Sequence, residues 1–180
     1  QQILLTGVRE NEMCRAERRY VASDCATWTI PVRHQKKSRK QEKFAKDFVI
    51  PLPPLAREVM REQLDLAGHS PFVVPGTSPG KHYNGREILG YLSRRFGSPK
   101  TPGRIVLPNG PITVHDLRRT MRTKLGELGV SPDIAERCLN HTRRDPYDQC
   151  DYLPQRRDAL EKWAKYVEDL VGRANQKRAA

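Results

Sequence analysis

The residues able to do chemistry on this chain lie in short runs far apart. Arg9 sits in Thr6-Gly7-Val8-Arg9-Glu10-Asn11-Glu12, and His115 and Arg118 sit in His115-Asp116-Leu117-Arg118-Arg119. Asn140-His141 and Tyr147 follow. Two guanidiniums, two imidazoles and a phenol suit cleavage of a nucleic-acid phosphodiester through a covalent tyrosine, without a metal. Uncatalysed hydrolysis of such an ester is extremely slow, so a catalyst must remove many kcal/mol from the barrier. Fixed arginines aimed at the non-bridging oxygens are one way to do so. Arginine suits the task better than lysine because its planar fork grips a phosphate in two places and stays charged.

Each run taken alone has an ordinary explanation. Arg9 and Glu12 are spaced as a surface ion pair worth a few tenths of a kcal/mol. His115 and Arg118, at i and i+3, share a helix face with Arg122 about a turn further on, as solvated side chains commonly do. The bulk charge favours the chemical reading. With 33 Lys and Arg against 21 Asp and Glu, the net charge of +12 points to a polyanionic partner. The sequence holds neither a long apolar run nor a lone amphipathic helix with a clustered basic face, which argues against a membrane partner.

The positioning elements can be read from pattern. Ile3 to about Glu12 is expected as one helix, with Gly7 as its weak point. Trp28–Val32 and Phe48–Leu52 read as strands whose prolines mark ends or edges. Between them Arg33, Lys36, Lys37, Arg39, Lys40, Lys43 and Lys46 form a basic stretch, giving a cation-rich β-hairpin. Helices are expected over 54–66 and from the Asn84…Glu87 capping box through Phe96. Phe72–Val74 is short and extended, and 98–111 is a Gly/Pro-rich loop. Thr113…Asp116 is another capping box, opening an amphipathic helix on Val114, Leu117, Met121, Leu125 and Leu128 that Gly129 ends. Ser131-Pro132 caps a short helix to about Asn140. The last helix starts near Pro154 and buries Leu160, Trp163, Ala164, Val167, Leu170 and Val171, and residues 174–180 form a frayed basic tail. The expected fold is mainly α with a small antiparallel sheet (α+β), in one domain over residues 1–180.

Cys14, Cys25, Cys138 and Cys150 form no close pair, which fits reduced thiols and a cytoplasmic setting. Cys138-x-x-His141 with Cys150 matches no common zinc spacing, so Cys138 is read as packing. Gly76-Thr77-Ser78-Pro79-Gly80-Lys81 lacks the spacing and trailing hydroxyl of a phosphate loop and is read as a turn. The acidic residues form no paired cluster for Mg²⁺. No metal and no cofactor is expected. The chain opens inside Ile3-Leu4-Leu5 without an initiator Met, which reads as a piece of a longer protein whose preceding DNA-binding domains lie upstream.

In order and flanks, these motifs resemble the catalytic domain of the tyrosine recombinases, in particular the phage integrases. Thr6–Glu12 matches that family's TGxRxxE segment, His115–Arg118 its HxxR segment, and Leu139-Asn140-His141 its LGH or LNH segment. Trp28–Pro31 and Val49–Leu52 resemble the strands of its catalytic hairpin. Lys36 falls where the family lysine sits, with Lys37 one step away. Tyr147-Asp148-Gln149-Cys150-Asp151-Tyr152-Leu153 resembles the family's tyrosine segment, with Tyr147 the preferred nucleophile and Tyr152 the alternative. The interval from His141 to Tyr147 is six residues, shorter than the family's usual one.

The resemblance implies that Tyr147 attacks a DNA phosphate and forms a 3′-phosphotyrosyl bond. Arg9 and Arg118 would clamp the phosphate, and His115 and His141 would move protons. Lys36 would protonate the leaving 5′-oxygen. It further implies site-specific integration on double-stranded DNA by a homotetramer, without metal or ATP. The competing readings are an integrase-derived DNA-binding module without activity, favoured by the short interval before Tyr147, and a type IB topoisomerase-like relaxing enzyme.

Overall fold

A computed structural model describes residues 1–36, 45–98, 101–108, 110–141 and 150–179. The described residues form helices and a two-stranded antiparallel sheet. In chain order they are α1 (Gln2–Thr6), α2 (Glu10–Cys14), β1 (Thr27–Ile30), β2 (Phe48–Pro51), α3 (Pro54–Leu66), α4 (Gly85–Phe96), α5 (Val114–Glu127), α6 (Pro132–Cys138) and α7 (Leu153–Ala179). Single 3₁₀ turns lie at Arg18–Tyr20 and Val32–His34.

Local chemistry explains most of the helix starts. The Asn84 side chain accepts from Arg86 N at 3.0 Å, while Glu87 reaches back to Asn84 N. At α5, Asp116 Oδ2 accepts from Thr113 N at 2.9 Å and from Thr113 Oγ1 at 2.7 Å. These bonds hold the Asp116 carboxyl below its ordinary range and satisfy amides that a helix start leaves open. Ser131 caps α6, with Pro132 in its first turn.

The expected first helix is broken in two. Gly7 closes α1 in the left-handed conformation at φ 65°, and Arg9 is extended at φ −76°, ψ 151° before α2 begins. A Cβ at Gly7 would lie 2.6 Å from both Leu139 Cδ2 and Met121 Sδ. Glycine is therefore required twice over, for its backbone and for the close approach of α5 and the end of α6. The break turns Arg9 away from the α1 axis.

The sheet pairs Trp28 with Ile50 and Ile30 with Phe48. Trp28, Ile30 and Ile50 are buried, whereas Thr27 and Thr29 are only partly so, the period-two pattern of a strand with one face on the core. That core continues through Leu52, Met60, Met121, Leu125, Leu160 and Trp163. Helix α7 is its spine, packing on α1, α3, α5, α6 and β2. Trp163 Nε1 donates to Leu4 O at 2.8 Å and so fixes α1 against α7. Leu170 and Val171 do not join the buried stripe: α7 is exposed on every side from Glu168 through Gln176, past the elements it packs on. Its backbone nonetheless stays helical through the expected frayed tail up to Ala179. Among the described residues, no helix is long and apolar enough to cross a membrane.

Candidate active site

The break at Gly7 delivers the first arginine. Arg9 N donates to Glu12 Oε2 at 2.8 Å and Arg9 Nη1 donates to Glu12 Oε1 at 2.9 Å, so one carboxylate holds both the backbone and the guanidinium. Glu12 is 3% exposed and Arg9 26%. This is a buried carboxylate aiming a partly open cation, not the solvated surface pair that the i, i+3 spacing alone would give.

Helix α5 delivers the second. Arg118 is buried on a helix otherwise anchored by Val114, Met121 and Leu125. Its Nη1 donates to Gly7 O and its Nη2 to Leu139 O. The guanidinium therefore joins the α1–α2 break to the end of α6, and it rests on the carbonyl two residues before Arg9. Burial, and after it the positive charge of Arg9, pull the Arg118 guanidinium down to about 10. Glu12 and Glu136 oppose that shift without cancelling it.

His141 completes the group. Asn140 takes the left-handed conformation at φ 52°, which asparagine tolerates better than most residues. The next side chain then meets both α5 and α6. His141 Nε2 lies 3.0 Å from Arg118 Nη2, and His141 Nδ1 lies 2.7 Å from Glu136 Oε2. A guanidinium only donates and an ionised carboxylate only accepts. These partners assign a neutral imidazole with its proton on Nδ1 and its Nε2 lone pair toward Arg118. Burial and the charges of Arg118 and Arg9 keep His141 below the ordinary histidine range, against the opposing pull of Glu136. Glu136 also accepts from Arg122 Nε at 2.6 Å, and its carboxyl is held low by these two partners despite partial burial.

The structure therefore brings Arg9, Arg118 and His141 together. His115 is exposed in the first turn of α5 and lies outside that bonded chain. Lys36 is exposed at the root of the hairpin, also outside it. Its neighbour Gln35 is buried and bridges to the site: Asn140 Nδ2 donates to Gln35 Oε1 at 3.0 Å. Lys37 and Tyr147 lie outside the described residues. On the far side of that interval, Arg137 Nη1 donates to Cys150 O at 3.2 Å. The Arg137 guanidinium lies 4.2 Å from the centre of the Tyr152 ring, a cation–π contact that gives Tyr152 a packing role beside α6. Burial pushes the Cys138 thiol up to about 11, and its Sγ donates to Arg156 O at 3.9 Å. It is a protonated packing group.

Two participants were missed by sequence reasoning. Glu136 precedes His141 by five residues, a spacing that matches no helical pair, because the chain leaves α6 between them. Gln35 lies 105 residues from its partner Asn140. Its only signal was a polar residue beside the hairpin lysine.

Comparison with known proteins places the sequence in a family. The model of a family described as the phage integrase family matches residues 2–145. The chain is 28% identical over 169 residues to the prophage integrase IntA of Escherichia coli (strain K12), covering 91% of this chain and 37% of that protein. It is 30% identical over 175 residues to the prophage integrase IntZ of the same strain, covering 94% of this chain and 39% of that protein. The chain thus spans less than two fifths of either relative. No solved structure gives a significant match.

Proposed function

The chain belongs to the phage integrase family, and from that premise we propose that it is the catalytic part of a site-specific DNA recombinase that breaks and rejoins strands through a phosphotyrosyl bond. The observation that carries the reading is the meeting of Arg118, Arg9 and His141 across a break in the chain at Gly7. Burial and the nearby charge of Arg9 disfavour the Arg118 cation, and an anion bound beside it would relieve both. A phosphodiester supplies that anion and gains negative charge on its oxygens as a nucleophile adds.

The chemistry follows from this arrangement. The Tyr147 phenol oxygen attacks phosphorus, and its proton passes to an imidazole, His115 or His141. The P–O5′ bond breaks, its electron pair goes to O5′, and O5′ takes a proton from the Lys36 ammonium as general acid. Tyrosine ordinarily ionises near pH ~10, so attack at neutral pH depends on the surrounding cations and on a proton acceptor. The covalent bond conserves the ester's free energy, and a 5′-hydroxyl of another strand reseals it by the reverse steps. The net charge of +12 supports binding to double-stranded DNA through phosphates, with affinity that falls as salt rises. The working assembly on paired sites is a tetramer.

Between the two tyrosines, the packing of Tyr152 under Arg137 favours Tyr147 as nucleophile. The test is a nicked-duplex suicide assay scored for a covalent, protease-sensitive adduct. Wild type and Tyr152→Phe are expected to form it, and Tyr147→Phe to lose it while still binding DNA. Adduct from Tyr147→Phe and none from Tyr152→Phe would transfer the role to Tyr152. DNA binding without adduct from wild type would support the inactive binding module.

A further inference from the structure

We propose that Gln35 is a positioning residue that latches the Lys36 hairpin to the segment bearing His141, and so sets where the hairpin's lysine stands relative to the phosphate site. The proposal rests on the recombinase reading above. Gln35 is 9% exposed, whereas its neighbours Lys36 and His34 are open or partly open. Every polar atom of its amide is used. Nε2 donates to Ile30 O at 2.9 Å and to Lys46 O at 2.9 Å, binding the two sides of the hairpin root to each other. Oε1 accepts from Asn140 Nδ2 at 3.0 Å, binding that root to the site.

One primary amide therefore joins three segments: the end of β1, the approach to β2, and the turn after α6. Lys36 is the residue after Gln35 and His141 is the residue after Asn140. Each is about 3.8 Å of backbone from the latch. Among the described residues, the latch joins this hairpin root to the segment bearing His141 through side chains. The other root contacts tie it elsewhere: Val32 N donates to Asp47 Oδ1 at 2.9 Å, and Arg33 Nη2 donates to Glu17 Oε1 at 2.9 Å. A lysine on a long flexible stem acts as general acid only if its root is fixed, because small misplacements of a proton donor cost large factors in rate. Replacing a latch member by a residue without the amide frees the root while leaving Lys36, Arg9, Arg118 and His141 intact.

The prediction separates proton donation from folding. Gln35→Ala and Asn140→Gly are compared with wild type for the rate of covalent adduct formation. Glycine keeps the left-handed backbone at 140 and removes only the amide, so the test survives if Gln35→Ala folds poorly. The probes are nicked duplexes with randomised flanks, whose scissile step is either an ordinary phosphodiester or a 5′-bridging phosphorothiolate. A departing thiolate needs no proton, so the sulfur substrate does not need the lysine. Both variants are expected to be about tenfold or more slower than wild type on the ordinary ester, yet within about threefold of it on the sulfur ester, as Lys36→Ala should be. Equal slowing on both substrates would make Gln35 a structural residue and overturn the proposal, as would wild-type rates on both. If wild type forms no adduct with either substrate, the recombinase reading itself fails, a result distinct from the first two.

Discussion

Two arginines are buried almost equally in this molecule, Arg118 at 5% exposure and Arg156 at 4%, yet their surroundings differ in kind. Arg156, on α7, donates from Nη2 to Val49 O at 2.6 Å and lies 4.4 Å from the centre of the Phe48 ring. It pins the long helix to β2, and burial lowers its pKa. Arg118 likewise donates to backbone carbonyls and is lowered by burial. Each also feels a neighbouring guanidinium, Arg9 for Arg118 and Arg137 for Arg156, so what Arg118 has in addition is an imidazole on one of its nitrogens. The lesson is that burial of a guanidinium marks structure as readily as chemistry. What sets the candidate site apart is the imidazole beside its buried guanidinium, a group able to move a proton.

The largest expected separation between the two comes from substitution of the cation itself. Arg118→Lys keeps the charge but loses the planar fork, and adduct formation should fall by about 10²-fold or more. Arg156→Met should leave the adduct rate per folded molecule near wild type, measured in the same assay. Its effect is expected in the unfolding transition instead, where freeing Val49 O and losing the Phe48 contact should cost about 1–3 kcal/mol. A large rate loss in Arg156→Met with unchanged stability would erase the distinction between the two residues.

A smaller effect is expected at Glu136. Its carboxylate opposes the factors that depress His141, so Glu136→Gln should lower the His141 pKa further, read by NMR titration of its ring. The sign follows from the depressed value. Neutral His141 contributes stability that is fully present above the unfolded histidine pKa and is lost as pH falls from there toward the folded value. In Glu136→Gln that window widens downward. The acid limb of the adduct rate, where it reports this imidazole, should move to lower pH. A rise in the His141 pKa on this substitution would contradict the assigned pairing of His141 with the Glu136 carboxylate.

The parts of this fold that were legible in the sequence are those decided locally. The capping boxes at Asn84 and Thr113 fix their helix starts because donor and acceptor lie within one turn, and the alternating burial of β1 follows from its own side chains. The break at Gly7 was legible only as a weakness in a helix. Its cause is the approach of Met121 and Leu139, more than a hundred residues away. The site divides in the same way. Arg9, Arg118 and His141 were singled out because their runs occur together in order, though each alone is ordinary, and the structure brings the three near one another. Glu12 as a buried clamp, Glu136 as the partner of His141 and Gln35 as the hairpin latch depend on which segments the fold brings into contact. Residue type and spacing do not carry that information. Lys36 remains exposed beside the latch, and its role, like that of Tyr147, is a proposal that the chemistry above tests.

The central claim is that the Arg9 and Arg118 guanidiniums meet the charge of one scissile phosphate. A nicked duplex whose scissile phosphate carries a methyl in place of one non-bridging oxygen removes that charge. The account predicts that Arg9→Ala and Arg118→Ala, both slow on the ordinary phosphate, recover most of the lost adduct rate on the methylphosphonate, and that Arg156→Met shows no such dependence on substrate. If either arginine variant is slowed equally on both substrates, its guanidinium does not face the phosphate and the claim is wrong.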